Sequence, residues 1–244
     1  MITQQDILLK QKIRFKMPLI IILVECGLEL IPKKIRNHSA VKRNISGKNY
    51  FSQLLDNSLH HSAMNNLKNK EKRGRPGITH VCMLNALGSA LNKSGGLRLF
   101  IHTLHNKIFE INTDIRMARN FNRFKGLIAK LLIDGNISVD GLPLISHIEG
   151  NLSELIKTFE NPHVSIFSSK GKLIKNYQEL YNDVTSLTNV VTNVAILGGF
   201  QRGGFSKEIL ALSNNVVSIS KYKLDAWVVV NKIINFYEIV HGIF

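Results

Sequence analysis

Short runs of consecutive apolar residues constrain the fold of this chain more than any other feature. The longest run covers residues 19–24 and is followed directly by Glu25. A membrane-spanning helix needs about 20 apolar residues, whereas a strand buried on both faces needs only about four to eight. Similar short runs at residues 164–167, 194–197 and 216–219 alternate with segments of helical periodicity. The pattern therefore predicts an α/β fold with a mainly parallel sheet flanked by helices.

Turn residues and periodicity predict further elements between these runs. Residues 97–103 and 107–111 are predicted strands, joined by a hairpin turn at His105 and Asn106. Thr79 is the predicted N-cap of one helix, a second helix covers the stripe that begins at Phe121, and a third begins near Asp225. Residues 135–162 carry no pattern that assigns them to a helix or a strand.

The chain is predicted to form a single domain, residues 19–244, after a basic N-terminal extension of residues 1–18. A polar insertion near residues 35–75 is rich in Asn, Ser, Lys and His, which is typical of surface helix and loop rather than core. Its basic run, residues 68–75, is interpreted as a solvated face. Cys26 and Cys82 are the only cysteines and have no metal-ligand partner at useful spacing, which indicates free thiols in a reducing compartment.

The charge balance points to a polyanionic partner. The formal net charge is +15, from 32 Lys and Arg against 17 Asp and Glu. RNA or DNA is the partner expected first for so basic a protein. An anionic membrane is the rival partner, but the one strong amphipathic stripe, residues 226–240, is more typical of a core or a dimer interface.

Three arginines concentrate this charge between a predicted strand and a predicted helix. Arg116, Arg119 and Arg123 lie within residues 115–126, which contain no acidic residue. The guanidinium group offers forked donors that match phosphate oxygens, so the segment predicts a nucleic-acid site. Arg75, just before Pro76, is a second candidate anion contact. The alternatives are solvated or salt-bridged surface arginines and, for Arg75, a simple helix-entry signal.

A glycine-rich loop follows the run at residues 194–197. It contains Gly198, Gly199, Gly203 and Gly204. The spacing is neither that of a phosphate-binding loop nor that of a dinucleotide-binding fingerprint, so a tight turn remains the alternative. Ligands of open α/β sheets bind outside the carboxyl ends of the strands. The junctions at Phe167, Gly198 and Ile219 are therefore candidate ligand-binding loops.

No catalytic side chain and no metal site is predicted. The histidines lack metal-ligand spacing, and no Ser-His-Asp or Cys-His arrangement is readable. Glu25 and Asp225 are the only suggestively placed acids. Both are predicted to be unpaired, and Asp225 is more simply a helix N-terminal charge.

Taken together, residues 75–80, 91–95, 116–126, 198–203 and 219–224 resemble a known family. They are similar, in order and spacing over roughly residues 19–244, to the archaeal and eukaryotic ribosome-biogenesis methyltransferases that modify N1 of pseudouridine in small-subunit rRNA. The resemblance implies a SPOUT-class fold with a C-terminal trefoil knot, a homodimer, and S-adenosylmethionine as methyl donor. It implies a small-subunit rRNA hairpin as partner. From the residues themselves, neither a metal nor a membrane partner is predicted.

Position by position, the resemblance also implies the site residues. RNA contacts fall at Arg75, Arg116, Arg119 and Arg123. Cofactor contacts fall at Ile166, Gly198, Gly203, Ile219, Ser220, Lys221, Tyr222, Lys223 and Leu224. The chain departs from the family at Gly77, where an Asp that orients a neighbouring arginine is usual, and at Phe205, where some relatives carry an acid.

The expected activity is methyl transfer to N1 of a pseudouridine, with a cytoplasmic location, or a nucleolar one if the source is eukaryotic. One alternative is a non-catalytic, rRNA-binding assembly factor that uses the same basic face. Another is the same chemistry on a different nucleotide, such as a tRNA uridine.

Overall fold

An eight-stranded sheet forms the centre of the computed structural model, which describes residues 18–44, 53–181 and 191–244. The basic extension therefore lies almost wholly outside the described residues. The strand order is β4-β5-β3-β2-β1-β7-β6-β8. The strands are β1 Leu19–Cys26, β2 Leu97–Thr103, β3 Ile108–Ile111, β4 Ile137–Val139, β5 Leu142–Ile148, β6 Pro162–Leu173, β7 Thr192–Gly198 and β8 Val216–Ser218.

The strands predicted from apolar runs form the parallel part of the sheet. β1 pairs in parallel with β2 and β7, and β6 pairs in parallel with β7 and β8. The predicted hairpin is also present, because β2 and β3 are antiparallel and Asn106 adopts a positive φ of 59° between them. β5 and β4 extend this antiparallel edge from residues that the sequence pattern left unassigned.

Helices cover both faces of the sheet. They are α1 Ser39–Arg43, α2 Asn57–His60, α3 Pro76–Gly88, α4 Ala90–Lys93, α5 Phe121–Asp134, α6 Leu152–Lys157, α7 Lys207–Leu210 and α8 Ala226–His241. Alternate residues of β1 pack into opposite layers: Leu19, Ile21 and Leu23 join the core under α3, α5 and α8. Ile20 and Ile22 join the core under α6 and α7. The predicted α/β fold with a mainly parallel sheet flanked by helices is confirmed.

The start of α3 differs from the prediction. The helix begins at Pro76, with Arg75 at the N-cap position, so Thr79 lies inside the helix rather than at its N-cap. Proline suits the first helical position because its missing N–H would have no partner there. Thr79 is fully buried. The sequence also predicts the end of α5 at residues 134–136, and its C-cap Gly135 indeed adopts a left-handed φ of 81°.

The polar insertion is more structured than its composition indicates. It has a small core of its own, formed by Ile31, Ile35, Val41, Leu55, Ala63, Met64 and Leu67. The interpretation of residues 68–75 as a solvated face is wrong for two of them. Lys72 forms a buried ion pair with Glu25, which the sequence had left unpaired, and Arg73 forms one with Glu29. The thiols of Cys26 and Cys82 are free, as predicted, and both are buried.

Two buried histidines should make the fold sensitive to acid. Burial lowers the pKa of His60 and His102 below the ordinary value of 6.5. Each accepts a backbone N–H at Nδ1, His60 from Asp56 at 3.0 Å and His102 from Glu25 at 3.2 Å. Below about pH 6.5 the unfolded chain therefore binds more protons at these two histidines than the folded chain does. The stability that the neutral histidines contribute is present above about pH 6.5 and is lost as the pH falls through their lowered pKa values.

We expect the free energy of unfolding, measured by urea denaturation, to decrease from pH 7.5 to pH 5. A His60→Gln, His102→Gln double variant should show a smaller decrease over the same range. Stability that does not change with pH would contradict this account of the two histidines.

Within the part of the chain that the structure describes, no helix is long and apolar enough to cross a bilayer.

Candidate cofactor cavity and nucleic-acid surface

A cavity opens where the carboxyl ends of β6, β7 and β8 meet. Its volume is about 420 Å³, which is within the usual range of small-molecule sites. The segments leaving the three strands line it, together with the start of α3. The lining residues are 167–170, 197–198, 200–205, 217–220, 222–227 and 229, with Arg75 and Ile78. The three predicted strand-to-loop junctions therefore converge on one cavity.

β6 bends around β8 beside this cavity. Val217 of β8 pairs with Phe167 before the bend and with Lys172 after it. Gly171 lies in the bend, where a Cβ atom would come within 2.6 Å of the Val217 backbone. Only glycine allows two backbones to approach so closely. The strand predicted to end at Phe167 thus continues to Leu173, and residues 168–170 line the cavity from within it.

Local hydrogen bonds and backbone conformation shape the other two loops. Gly203 adopts a φ of +104°, which side-chain-bearing residues rarely adopt. After β8, Ser218 Oγ donates to the Ser220 carbonyl at 2.8 Å, and Tyr222 N donates to Ser220 Oγ at 3.0 Å. The loop after β8 is therefore an ordered turn rather than an open strand end.

Seven of the nine predicted cofactor residues line the cavity. They are Gly198, Gly203, Ile219, Ser220, Tyr222, Lys223 and Leu224. Ile166 does not, because its side chain is fully buried in the core under α6 and α7 while its neighbour Phe167 faces the cavity. Lys221 is exposed and also lies outside the lining.

Arg75 lies at the cavity rather than beside Arg116, Arg119 and Arg123. It lines the cavity at the entry to α3. It forms no ion pair with any residue in the described ranges. Its guanidinium group is thus a cation beside the cavity whose charge no described carboxylate neutralises.

The other three arginines form an exposed basic surface. Arg116, Arg119 and Arg123 are all exposed, and none is in a salt bridge with a described residue. Ile115 and Met117 are buried on either side of Arg116, so the chain is anchored while the arginine side chain faces solvent. We call Arg116, Arg119 and Arg123 the arginine surface.

Direct packing joins the arginine surface to the start of α3. Nε2 of His80, a residue of α3, lies 2.7 Å from the carbonyl oxygen of Ala118. Nε2 is the donor of this hydrogen bond, because a carbonyl oxygen can only accept. The His80 ring also stacks on Phe124 of α5, with centroids 4.2 Å apart. His80 therefore holds the arginine segment against the helix that begins at the cavity.

Gly77 lies at this junction. A Cβ atom there would be 3.8 Å from the Phe121 ring, an ordinary van der Waals distance. No carboxylate at position 77 orients the arginines, but α5 is anchored elsewhere. Lys125 Nζ lies 3.0 Å from Asp56 Oδ2. Burial would raise the pKa of Asp56, but hydrogen bonds from Ser58 and Lys125 outweigh it and lower that pKa.

Sequence reasoning missed the role of Asn92, and it predicted Asp225 at a helix N-terminus without placing it at the cavity. Asn92 is buried, and its amide donates to the carbonyls of Leu87 and Thr113, so it ties the end of α3 to the arginine segment. Asp225 is the one carboxylate among the described cavity-lining residues. It occupies the N-cap position of α8 without a side-chain capping bond.

Comparison with known proteins agrees with this arrangement. The model of the EMG1/NEP1 methyltransferase family matches residues 21–238. The chain is 39% identical over 223 residues to the ribosomal RNA small subunit methyltransferase Nep1 of Staphylothermus marinus, covering 90% of this chain and 94% of that protein. It is 36% identical over 220 residues to the Nep1 of Thermococcus onnurineus, covering 89% and 97%.

A solved structure is also similar. It is Archaeoglobus fulgidus Nep1 bound to S-adenosylhomocysteine, with a TM-score of 0.79 and 32% identity over 93% of this chain and 100% of that one. The matches extend over both the cavity and the arginine surface. The chain therefore belongs to the EMG1/NEP1 methyltransferase family.

Proposed function

We propose that this protein transfers a methyl group from S-adenosylmethionine to N1 of a pseudouridine in small-subunit rRNA, as a step of ribosome biogenesis. One observation carries the proposal: a cavity at three strand ends adjoins a basic surface through a single helix start. Arg75 lines the cavity, and Gly77, two residues later in the chain, lies against the ring of Phe121. In the sequence, Phe121 stands between Arg119 and Arg123 of the arginine surface. The relatives that match nearly the whole chain are rRNA methyltransferases by name.

The cavity has the chemistry that S-adenosylmethionine requires. Phe167, Leu224 and Trp227 offer apolar surface for an adenine ring, and Ser220 offers a polar turn. The cation Lys223 suits the carboxylate of the methionine portion. When bound, the cofactor supplies an electrophilic methyl group on a sulfonium centre. The proposed contacts leave out Ile166 and Lys221, because neither lines the cavity.

The protein's own contribution would be mainly positioning. The target base must leave its stack to enter the cavity, and N1 must lie in line with the methyl group. The arginine surface would hold phosphates of the flanking strands. Arg75 would hydrogen-bond the inserted nucleotide as negative charge develops on its ring, and the N1 proton would be lost to water at the open cavity.

The proposal extends to assembly and topology. The bend of β6, which pairs with Val217 of β8 both before and after it, supports a C-terminal trefoil knot, because a knot needs one segment to pass around another. Ile239 of α8 and Phe244 just beyond it expose apolar side chains, which supports the homodimer interface proposed for residues 226–240. The cores on the two faces of one sheet support a single domain. A reducing, cytoplasmic location is consistent with free Cys26 and Cys82.

The activity can be tested in cells that lack the protein. Mass spectrometry of their small-subunit rRNA should show that one pseudouridine has lost its methyl group, and a plasmid-borne copy should restore it. Unchanged methylation at every pseudouridine would contradict the proposal.

A non-catalytic assembly factor is the second candidate, favoured by the exposed arginine surface, which could bind RNA with or without a cofactor. It predicts RNA binding without cofactor binding. Calorimetric titration separates the two functions, because an assembly factor with a vestigial cavity would not bind S-adenosylmethionine even at millimolar concentration.

A further inference from the structure

A buried ion pair links the end of β1 to the end of the polar insertion. Lys72 Nζ lies 2.7 Å from Glu25 Oε2, and the two side chains are only 10% and 7% exposed. Glu25 adopts a left-handed φ of 53°. Such a conformation costs energy in a side-chain-bearing residue and persists only where surrounding contacts fix it. Here the Glu25 N–H donates to His102 Nδ1 at 3.2 Å.

This pair contacts the loop that follows β7 at two points and the residue after that loop at a third. We call residues 198–205 the glycine loop. Lys72 Nζ lies 4.7 Å from the centroid of the Phe200 ring. A Cβ atom on Gly203 would lie 3.4 Å from Lys72 Cε, so the loop backbone packs on the lysine side chain. Just after the loop, Ser206 N donates to Glu25 Oε1 at 3.3 Å.

The glycine loop also forms one wall of the cavity. Phe200 and Gly203, which contact Lys72, are both among the lining residues, whereas neither Glu25 nor Lys72 lines the cavity. The loop thus lies between the ion pair and the cavity. Its end is fixed as well, because Ser206 Oγ accepts the Ile209 N–H at 3.3 Å at the start of α7.

We infer that Glu25 and Lys72 are positioning residues that set the place of the glycine loop and thereby the affinity for the cofactor. The inference rests on the proposed function, since it assigns the cavity to S-adenosylmethionine. Neutralising Lys72 would leave the Glu25 carboxylate buried and unpaired, and such a charge draws in water or displaces its surroundings. The most direct route for that displacement is the glycine loop, which packs on Lys72 and is followed directly by Ser206, whose N–H donates to Glu25.

The chain offers a matched control in the neighbouring ion pair. Arg73 and Glu29 are as deeply buried, with side chains 11% and 6% exposed. Their other described partners are the Lys68 carbonyl and His105. Among the described residues, no hydrogen bond or ion pair joins either of these to the glycine loop. Breaking this pair should cost comparable stability without moving the cavity wall.

The test is calorimetric titration of S-adenosylhomocysteine into the purified full chain. We expect Lys72→Met to raise the Kd about tenfold or more, as a displaced cavity wall would. Lys72→Arg, which keeps the charge beside Glu25 and over Phe200, should stay within about threefold of wild type. Glu29→Gln should lower the melting temperature but leave the Kd within about threefold. RNA affinity should be unchanged in all three variants, since none alters the arginine surface.

Each outcome bears on a different claim. Equal effects of Lys72→Met and Glu29→Gln on the Kd would overturn the inference, because the loss would then be general destabilisation. A wild-type Kd in Lys72→Met would overturn it as well. If Lys72→Met does not fold, Glu25→Gln takes its place with the same expected and overturning results. A wild-type protein that binds no S-adenosylhomocysteine would overturn the proposed function itself.

Discussion

Replacing Arg116, Arg119 and Arg123 together by glutamine should weaken the binding of an rRNA hairpin roughly 100-fold at physiological salt. Each exposed arginine–phosphate contact contributes about 1 kcal/mol, and three such contacts amount to about two decades of affinity. The slope of log K against log salt concentration is negative, and it should become shallower by about 2 to 3, because fewer counterions are released on binding. Fluorescence anisotropy with a labelled hairpin measures both quantities.

A charge-matched control separates a specific surface from general attraction. Lys157, Lys175 and Lys232 are exposed and form no ion pair with a described residue, so their triple glutamine variant removes the same charge elsewhere. It should bind within about fivefold of wild type. Equal loss of affinity in the two triple variants would show that the arginine surface has no special role.

Replacing Arg75 by methionine should have the largest effect on the reaction itself. Arg75 lies where the cavity meets the helix that carries the arginine surface, and no described carboxylate neutralises it. Loss of one well-placed donor to a developing anion lowers a rate about 100- to 1,000-fold. We expect a single-turnover rate reduced by about this factor, with the Kd of the cofactor within about threefold of wild type.

The Arg75→Lys variant tests whether the fork of the guanidinium group matters. Lysine keeps the charge but offers no bidentate geometry, so an intermediate rate is expected. A wild-type turnover rate in the Arg75→Met variant would show that Arg75 has no role in the reaction. A rate that recovers fully at saturating RNA would instead assign Arg75 to RNA binding alone.

Much of this fold could be predicted because its main elements have local signals. Residues 19–24 of β1 are apolar on both faces, which is typical of a strand covered on both sides, and the structure buries all of them. Likewise, the glycine that ends α5 and the turn at Asn106 are local features. The convergence of three strand ends on one cavity then follows from the parallel order of β6, β7 and β8.

What could not be predicted depends on contacts between distant residues. Glu25 and Lys72 are separated by 47 positions, and nothing in a polar, lysine-rich segment indicates that one of its lysines is buried. The bend in β6 depends on the close approach of Val217 to Gly171, which periodicity cannot show. The position of Arg75 beside the cavity, rather than within the arginine surface, likewise requires the packing of α3.

The most direct test of the account is methyl transfer in a purified system. Two small-subunit rRNA hairpins differ at one position only, which is pseudouridine in one and uridine in the other. Pseudouridine is attached to the ribose through C5 and has a free N1–H, whereas N1 of uridine forms the glycosidic bond. With radiolabelled S-adenosylmethionine, we predict that label enters the pseudouridine hairpin alone. Equal labelling of both hairpins, or of neither, would contradict the account.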